Sequence, residues 1–211
     1  VYDLVVPKII ERANPDVILI RNLGALCYFQ DKNFELRGDF SLNVTNSMTK
    51  DYLLSKKLKS VCASYDLSFH RLTKLLNHSK SGEVEVTIHQ CMPSFHMEHC
   101  VFAAFLSKGH SYKDCGKPCE KHNLELKDQF GNFHYIYADQ ECRNTMFNAE
   151  AQTAGRKIKD LLSLGVTEFR FEALKEADKN LSSKILGYVN LLKNPNEENI
   201  DAILKSINTE E

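Results

Sequence analysis

Between Cys91 and Asn148 the chain stops alternating strand-like and helix-like stretches, and for almost sixty residues it runs irregularly around a group of cysteines. Cys100 follows Glu98-His99, Cys115 and Cys119 flank Gly116-Lys117-Pro118, and Cys142 sits between Glu141 and Arg143. Gly116 and Pro118 make a turn that can aim two sulfurs at one centre, while Cys100 and Cys142 must arrive from flanking segments. Thiolates suit zinc and iron–sulfur centres alike. On spacing alone a 4Fe-4S cluster, a structural zinc and unliganded thiols all stand open, with Cys100, Cys115, Cys119 and Cys142 as the ligand candidates for either metal centre. Cys27 and Cys62 fall beside strands and read as small buried hydrophobes.

The flanking pattern sets the fold class. Val1–Ala13 is apolar and reads as a helix that admits Pro7 only near its first turn. Asp16–Asn22 is a β-branched run after a proline, a strand buried on both faces. Phe40–Asn46 alternates apolar and polar residues and reads as a second strand. A helix follows over Thr49–Lys57, capped by Ser47 or Thr49. Ser60–Ala63 and Val84–His89 read as short strands around a helix at Leu67–Leu76. Beyond Cys142 come a helix at Ala151–Leu164 closed by Gly165, a strand at Glu168–Glu172, and helices at Ser182–Lys193 and Asn199–Ile207. Five strands alternating with helices predict right-handed βαβ units and a parallel sheet in a single α/β domain over residues 1–211. Residues 91–148 read as an insertion in one βα connection. Within it Asn123–Lys127 and Phe133–Ala138 alternate about Asp128-Gln129-Phe130-Gly131-Asn132, as a β-hairpin does. Five strands do not close an eight-stranded barrel, so the sheet is open or is the later part of a barrel.

Composition narrows the class. The 211 residues are 43% hydrophobic and 26% charged, with a formal net charge of −1, which argues against nucleic-acid binding driven by bulk charge. No apolar run approaches the ~20 residues of a membrane helix, and no secretory signal is visible. Seven cysteines in a chain that is neither small nor loop-rich argue for metal binding over a disulfide framework, hence for a reducing compartment, the cytoplasm or an organelle matrix.

Other polar residues sit where α/β proteins place function, on or just past strand ends. Arg21, Asn43, His89, Arg170 and Glu172 are the candidate pocket residues. Arg170 and Glu172 share one face of a strand, so they require a ligand or an ion pair. Arg21 can hold a carboxylate or phosphate, or pair with Asp39 or Glu35. His96, His99, His110 and His122 crowd the cysteine segment; His110 and His122 read as loop hydrogen-bonders. No His-Glu-x-x-His or Gly-x-Ser-x-Gly peptidase motif occurs.

His96-Met-Glu-His-Cys100, Asp114-Cys-Gly-Lys-Pro-Cys-Glu120, Leu126-Lys-Asp-Gln-Phe-Gly131 and Glu141-Cys-Arg-Asn-Thr-Met-Phe-Asn148 resemble, in order, the signature of the collagenase-like peptidase family, number thirty-two among peptidases of unknown catalytic type. The resemblance covers roughly Asp16 to Glu172. It implies a TIM-like barrel, here its C-terminal part, with a 4Fe-4S cluster on four cysteines. It further implies hydroxylation of a base in tRNA or ribosomal RNA, or a related redox modification such as that of the ubiquinone ring. Cys91 and Cys100 stand where many relatives carry a closer cysteine pair. A peptidase or peptide-binding domain with structural zinc, and a noncatalytic cluster-bearing accessory subunit, are the competing readings. The expected partners are structured RNA and a protein partner or missing barrel segment that completes the sheet; no membrane is expected.

Overall fold

The computed structural model describes residues 5–109, 113–174 and 178–208. The elements run α1 (Val5–Ala13), β1 (Val17–Ile20), α2 (Leu23–Phe29), β2 (Glu35–Gly38), α3 (Ser47–Ser55), β3 (Leu58–Cys62), α4 (Phe69–Asn77) and β4 (Val84–Gln90). Next come β5 (Pro93–Met97), α5 (Val101–Leu106), β6 (Leu124–Lys127), β7 (Phe133–Ala138), β8 (Asn144–Phe147) and β9 (Gln152–Thr153). The chain ends through α6 (Ile158–Ser163), β10 (Glu168–Phe171), α7 (Asp178–Lys193) and α8 (Glu197–Asn208). Two compact units result, one from residues up to 88, 154–171 and 183–203, the other from 89–153, 172–182 and 204 onward. Among the described residues no helix is long and apolar enough to cross a membrane.

The first unit is a curled half-barrel of five strands in the order β1-β2-β3-β4-β10. β1 pairs parallel with β2, β2 with β3 and β3 with β4, the pairing that helical crossovers produce. Ile18, Ile20, Leu36, Val61, Val84, Val86 and Ile88 are buried along these strands, each a burial of about 1.5–3 kcal/mol. On α4 the Leu75 and Leu76 side chains bury the apolar stripe. Gly165 ends α6 with φ +81°, the left-handed cap that glycine permits.

Several local expectations are corrected. Phe40–Asn46 is no strand: Phe40–Leu42 is a 3-10 turn, Asn43 is left-handed at φ 52°, and only Val44 touches the sheet, by a single bridge to Ala63. The strand lies upstream, at β2. Its Glu35 and Arg37 look too polar for a sheet interior, but Arg37 pairs with Glu168 at 2.6 Å and Glu35 at 2.9 Å, and Glu35 also takes Lys59 at 2.8 Å. Leu23–Phe29 is a helix because Asn22 caps it, accepting from Ala25 N at 2.8 Å. Asn46, not Ser47 or Thr49, caps α3 by accepting from Thr49 N. The helix expected over Ala151–Leu164 is confined to Ile158–Ser163 after a 3-10 turn at Gly155–Lys157. Strand β1 buries Ile18 and Ile20 but leaves Val17 41% and Leu19 46% exposed, since it is an edge strand and not an interior one. Cys27 is exposed; Cys62 is buried as expected.

The second unit holds an antiparallel sheet in the order β5-β8-β7-β6. The β6–β7 hairpin registers Leu124 against Ile136 through Lys127 against Phe133. Phe102, Ile136 and Met146 form its core, with Met97, Leu124, Cys100 and Cys119 packed against it. His89 and Gln90 at the end of β4 pair antiparallel with Thr153 and Gln152. Two of the four candidate ligands are thus anchored on a hydrophobic cluster.

Candidate metal centre

The four cysteines reach one neighbourhood by three different local devices. Cys100 is the N-cap of α5: its Sγ accepts from Ala103 N at 3.5 Å. Cys115 and Cys119 are joined through Gly116 and Lys117, both left-handed at φ +71° and φ 50°, before Pro118 opens a 3-10 turn. Lys117 pairs with Glu120 at 2.9 Å; that pairing first, with the nearby Cys119 and Cys115 thiols contributing, holds its ammonium above the ordinary lysine range. Cys142 is itself left-handed at φ 64°, a conformation costing a non-glycine residue about 1–2 kcal/mol. Asp139 secures that turn, accepting from Glu141 N and Arg143 N, each at 2.9 Å, while its own carbonyl accepts from Cys142 N.

The electrostatics link all four. Burial, then the charges of Cys100, Cys115 and Cys119, push the Cys142 thiol above its ordinary value. A cation among them would relieve that mutual repulsion, so the donor set suits zinc or an iron–sulfur cluster in kind. The sulfurs share a neighbourhood and not a coordination sphere: among the described residues no three Cys, His, Asp or Glu side chains are gathered closely enough to ligate one ion. Cys91 is half-buried.

Asn144 is the residue that sequence reasoning missed. It is fully buried. Its Oδ1 accepts from Val101 N at 2.7 Å, and its Nδ2 faces Cys100 Sγ at 3.9 Å and the Cys142 carbonyl at 3.4 Å. One amide thereby ties two candidate ligands together. Asn144→Ala is expected to cost about 2 kcal/mol by leaving a helix N–H unpaired, read as a lowered urea midpoint. The only sequence signal was its place two residues after Cys142.

Of the histidines, His96 is exposed with Nδ1 2.9 Å from Thr145 Oγ1, and His99 and His122 are exposed. His110 lies outside the described residues. His89 is buried on β4, and its carbonyl accepts from Glu172 N at 2.9 Å.

In the first unit the polar strand ends form an ion network. Arg21 meets Asp39 at 2.9 Å and lies over the Phe40 ring, so of its two sequence readings an ion pair is what it makes. Arg170 joins Asp39 on its other oxygen and Glu85 at 2.5 Å. Burial alone would lower the Arg170 pKa, but the neighbouring Cys62, Asp39 and Glu85 more than offset it and hold the guanidinium above the ordinary range. Burial pushes the Cys62 thiol up to about 12, so that cysteine stays protonated. Asn43 is exposed, its backbone N donating to Phe40 O at 2.8 Å.

No curated protein matches the chain. Among solved structures, the C-terminal domain of a proposed chitinase from Desulfitobacterium hafniense DCB-2 is similar at 11% identity and a TM-score of 0.32, covering 79% of this chain and 65% of that one. The chain therefore spans slightly less than two thirds of that structure, and the likeness carries no argument. The description that matches almost throughout, over residues 6–210, is that of the peptidase family U32, and the chain belongs to this family.

Proposed function

We propose that Cys100, Cys115, Cys119 and Cys142 hold a 4Fe-4S cluster, and that the chain acts in hydroxylation of a base of tRNA or ribosomal RNA or in a related redox modification. The reading rests on family membership and, above all, on one observation: Cys100, Cys115 and Cys119 all act on the Cys142 thiol. When bound, such a cluster supplies one-electron transfer. The chain's own contributions are positional. Asn144 and Asp139 fix the backbone on which two ligands ride. The half-barrel is read as the C-terminal part of a TIM-like barrel, with residues 91–148 as its cysteine-rich insertion. Arg21, whose side chain is 62% exposed, is the guanidinium offered to substrate there. The test is metal analysis of oxygen-free protein, with RNA from cells lacking the protein examined for a missing hydroxylated base. Stoichiometric zinc in colourless protein would replace this reading by a zinc-clipped peptidase or peptide-binding domain.

A second reading concerns partners and rests on β1. Val17 and Leu19 present one exposed apolar face on a strand whose other edge pairs with β2. An open edge of this kind invites a further strand, from another segment or a partner protein. Leu19→Lys is expected to abolish self-association of the parent, followed by light scattering across a concentration series. A parent that is monomeric throughout would remove the second copy as the occupant.

A further inference from the structure

The four-stranded sheet of the second unit has two unlike faces. Ile136 and Met146 belong to the Phe102 core, so alternation turns Phe133, Tyr135 and Tyr137 on β7, and Phe147 on β8, to the opposite side. Phe133 is 46% and Tyr137 42% exposed, while Tyr135 and Phe147 are half-buried. Three aromatic side chains thus follow one another along a single strand, about 6.8 Å apart, and a fourth stands beside them. Tyr137 and Phe147 meet edge to face, with centroids 6.1 Å apart and planes at 73°, a packing that steadies both rings.

The core does not need these rings. An antiparallel sheet with one buried face ordinarily carries polar side chains on the other, as β6 does here with Glu125 and Lys127. β-propensity accounts for an aromatic residue or two. A row of them open to water is an apolar surface of the kind that marks a binding site. The charges around it select the ligand. Lys127, opposite Phe133 in register, holds its Nζ 5.2 Å from the centre of that ring, and among the described residues it makes no ion pair. Past the other end of β7, Asp139 and Glu141 both pair with Arg143, so neither is an uncompensated negative charge. Glu125, opposite Tyr135, is a carboxylate on the face itself and keeps a phosphate chain from lying across its middle. On β6, β7 and β8 this side carries no Leu, Ile, Val or Met, which favours flat stacking over interdigitation. Rings in a row with a cation at one end suit a strand whose planar groups stack and whose phosphates are held at one point.

We propose that this face is a stacking platform for a single-stranded segment of RNA, with bases lying on Phe133 and Tyr137 and one phosphate held by Lys127. Aromatic side chains on four-stranded sheets hold two or three unpaired bases in this way. The inference rests on the RNA reading above for its ligand and adds where the strand is gripped; the aromatic row and Lys127 are observations independent of the cysteine centre.

The chain contains no tryptophan, so Phe133→Trp places a single indole in the row of the full-length protein. Its emission is expected to fall saturably on titration with a short oligouridylate or oligoadenylate, and not with a short RNA duplex. Anisotropy of a labelled oligouridylate on the parent chain should give the same affinity. Log affinity should fall against log salt with a slope of about −0.7, the release for one phosphate on a single strand, and Lys127→Gln should flatten it. Tyr137→Leu, which keeps an apolar side chain but removes the ring, should weaken binding by about tenfold, ~1.4 kcal/mol. Tyr52→Leu is the control: Tyr52 is an exposed aromatic with Lys56 over its ring, on α3 of the first unit, and its loss should leave the affinity unchanged. Should Tyr137→Leu not fold, the parent's salt series decides. No quenching by either strand at about 1 mM, equal quenching by the duplex, an unchanged affinity in Tyr137→Leu, or a slope near −3, the mark of about four phosphates, would overturn the proposal. So would indole emission that shifts to the blue as protein concentration rises, which would put a second copy of the chain on this face. The two readings fail separately. Quenching that persists while cells lacking the protein lose no hydroxylated base keeps the platform and removes the hydroxylation. A missing hydroxylated base with an unquenched indole removes only the platform.

Discussion

Cys115→Ala and Cys119→Ala proteins prepared without oxygen are expected to lose the iron and sulfide of the parent, about four of each per chain. Visible absorbance and the EPR signal of the reduced parent should go with them. These two positions make the sharpest test because Gly116 and Lys117, left-handed in succession, exist to fold the chain back between the two thiols. Cys142→Ala should do the same, since its thiol is the one on which the other three act. A control comes from the same chain. Cys62 is buried with its thiol pushed up to about 12, so Cys62→Ala should keep full metal content. A parent carrying zinc and no sulfide would put a structural clip in place of redox chemistry. Loss of iron in Cys91→Ala with retention in Cys100→Ala would exchange one ligand for another and leave the cluster standing.

What the amino-acid sequence disclosed and what it withheld follow one physical line. Apolar runs and alternation announce themselves: β1 and β10 fall within the stretches expected for them, β3 begins two residues before its stretch, and β4 ends one residue past its own. Strand β2 stayed hidden because Leu36 is its only large apolar residue, whereas β10, with the same two charges in four, alternates them with Phe169 and Phe171. Alternation at Phe40–Asn46 gave a false strand, since a 3-10 turn and a left-handed Asn43 can carry the same apolar spacing. The site divides in the same way. Cysteine is rare enough that four of them stand out by identity and spacing. Asn144 is an ordinary residue type whose importance comes from burial and from the Val101 N–H at the start of α5, 43 residues away. That relation has no local signature.

Arg170→Met is expected to destabilise the first unit by about 3–5 kcal/mol, the cost of breaking a buried ion pair by removing one member. Arg170 is 15% exposed and stands between Asp39, at 3%, and Glu85, at 16%. Methionine restores most of the volume but leaves two carboxylates facing each other without the guanidinium that joined them. Arg21 still reaches Asp39, but from a side chain that is largely in water, where an ion pair contributes about 0–1 kcal/mol. Arg21→Ala should therefore change stability by less than about 1 kcal/mol. Urea unfolding separates the two, with Arg170→Met moving the midpoint by about 1 M or more at an unchanged slope. A midpoint within error of the parent would mean that water already screens the network, and would release Arg170 to bind substrate. The expected loss instead assigns Arg170 to holding the strand ends together. That leaves Arg21, tethered through Nε but otherwise open, as the guanidinium with the freedom to meet a ligand.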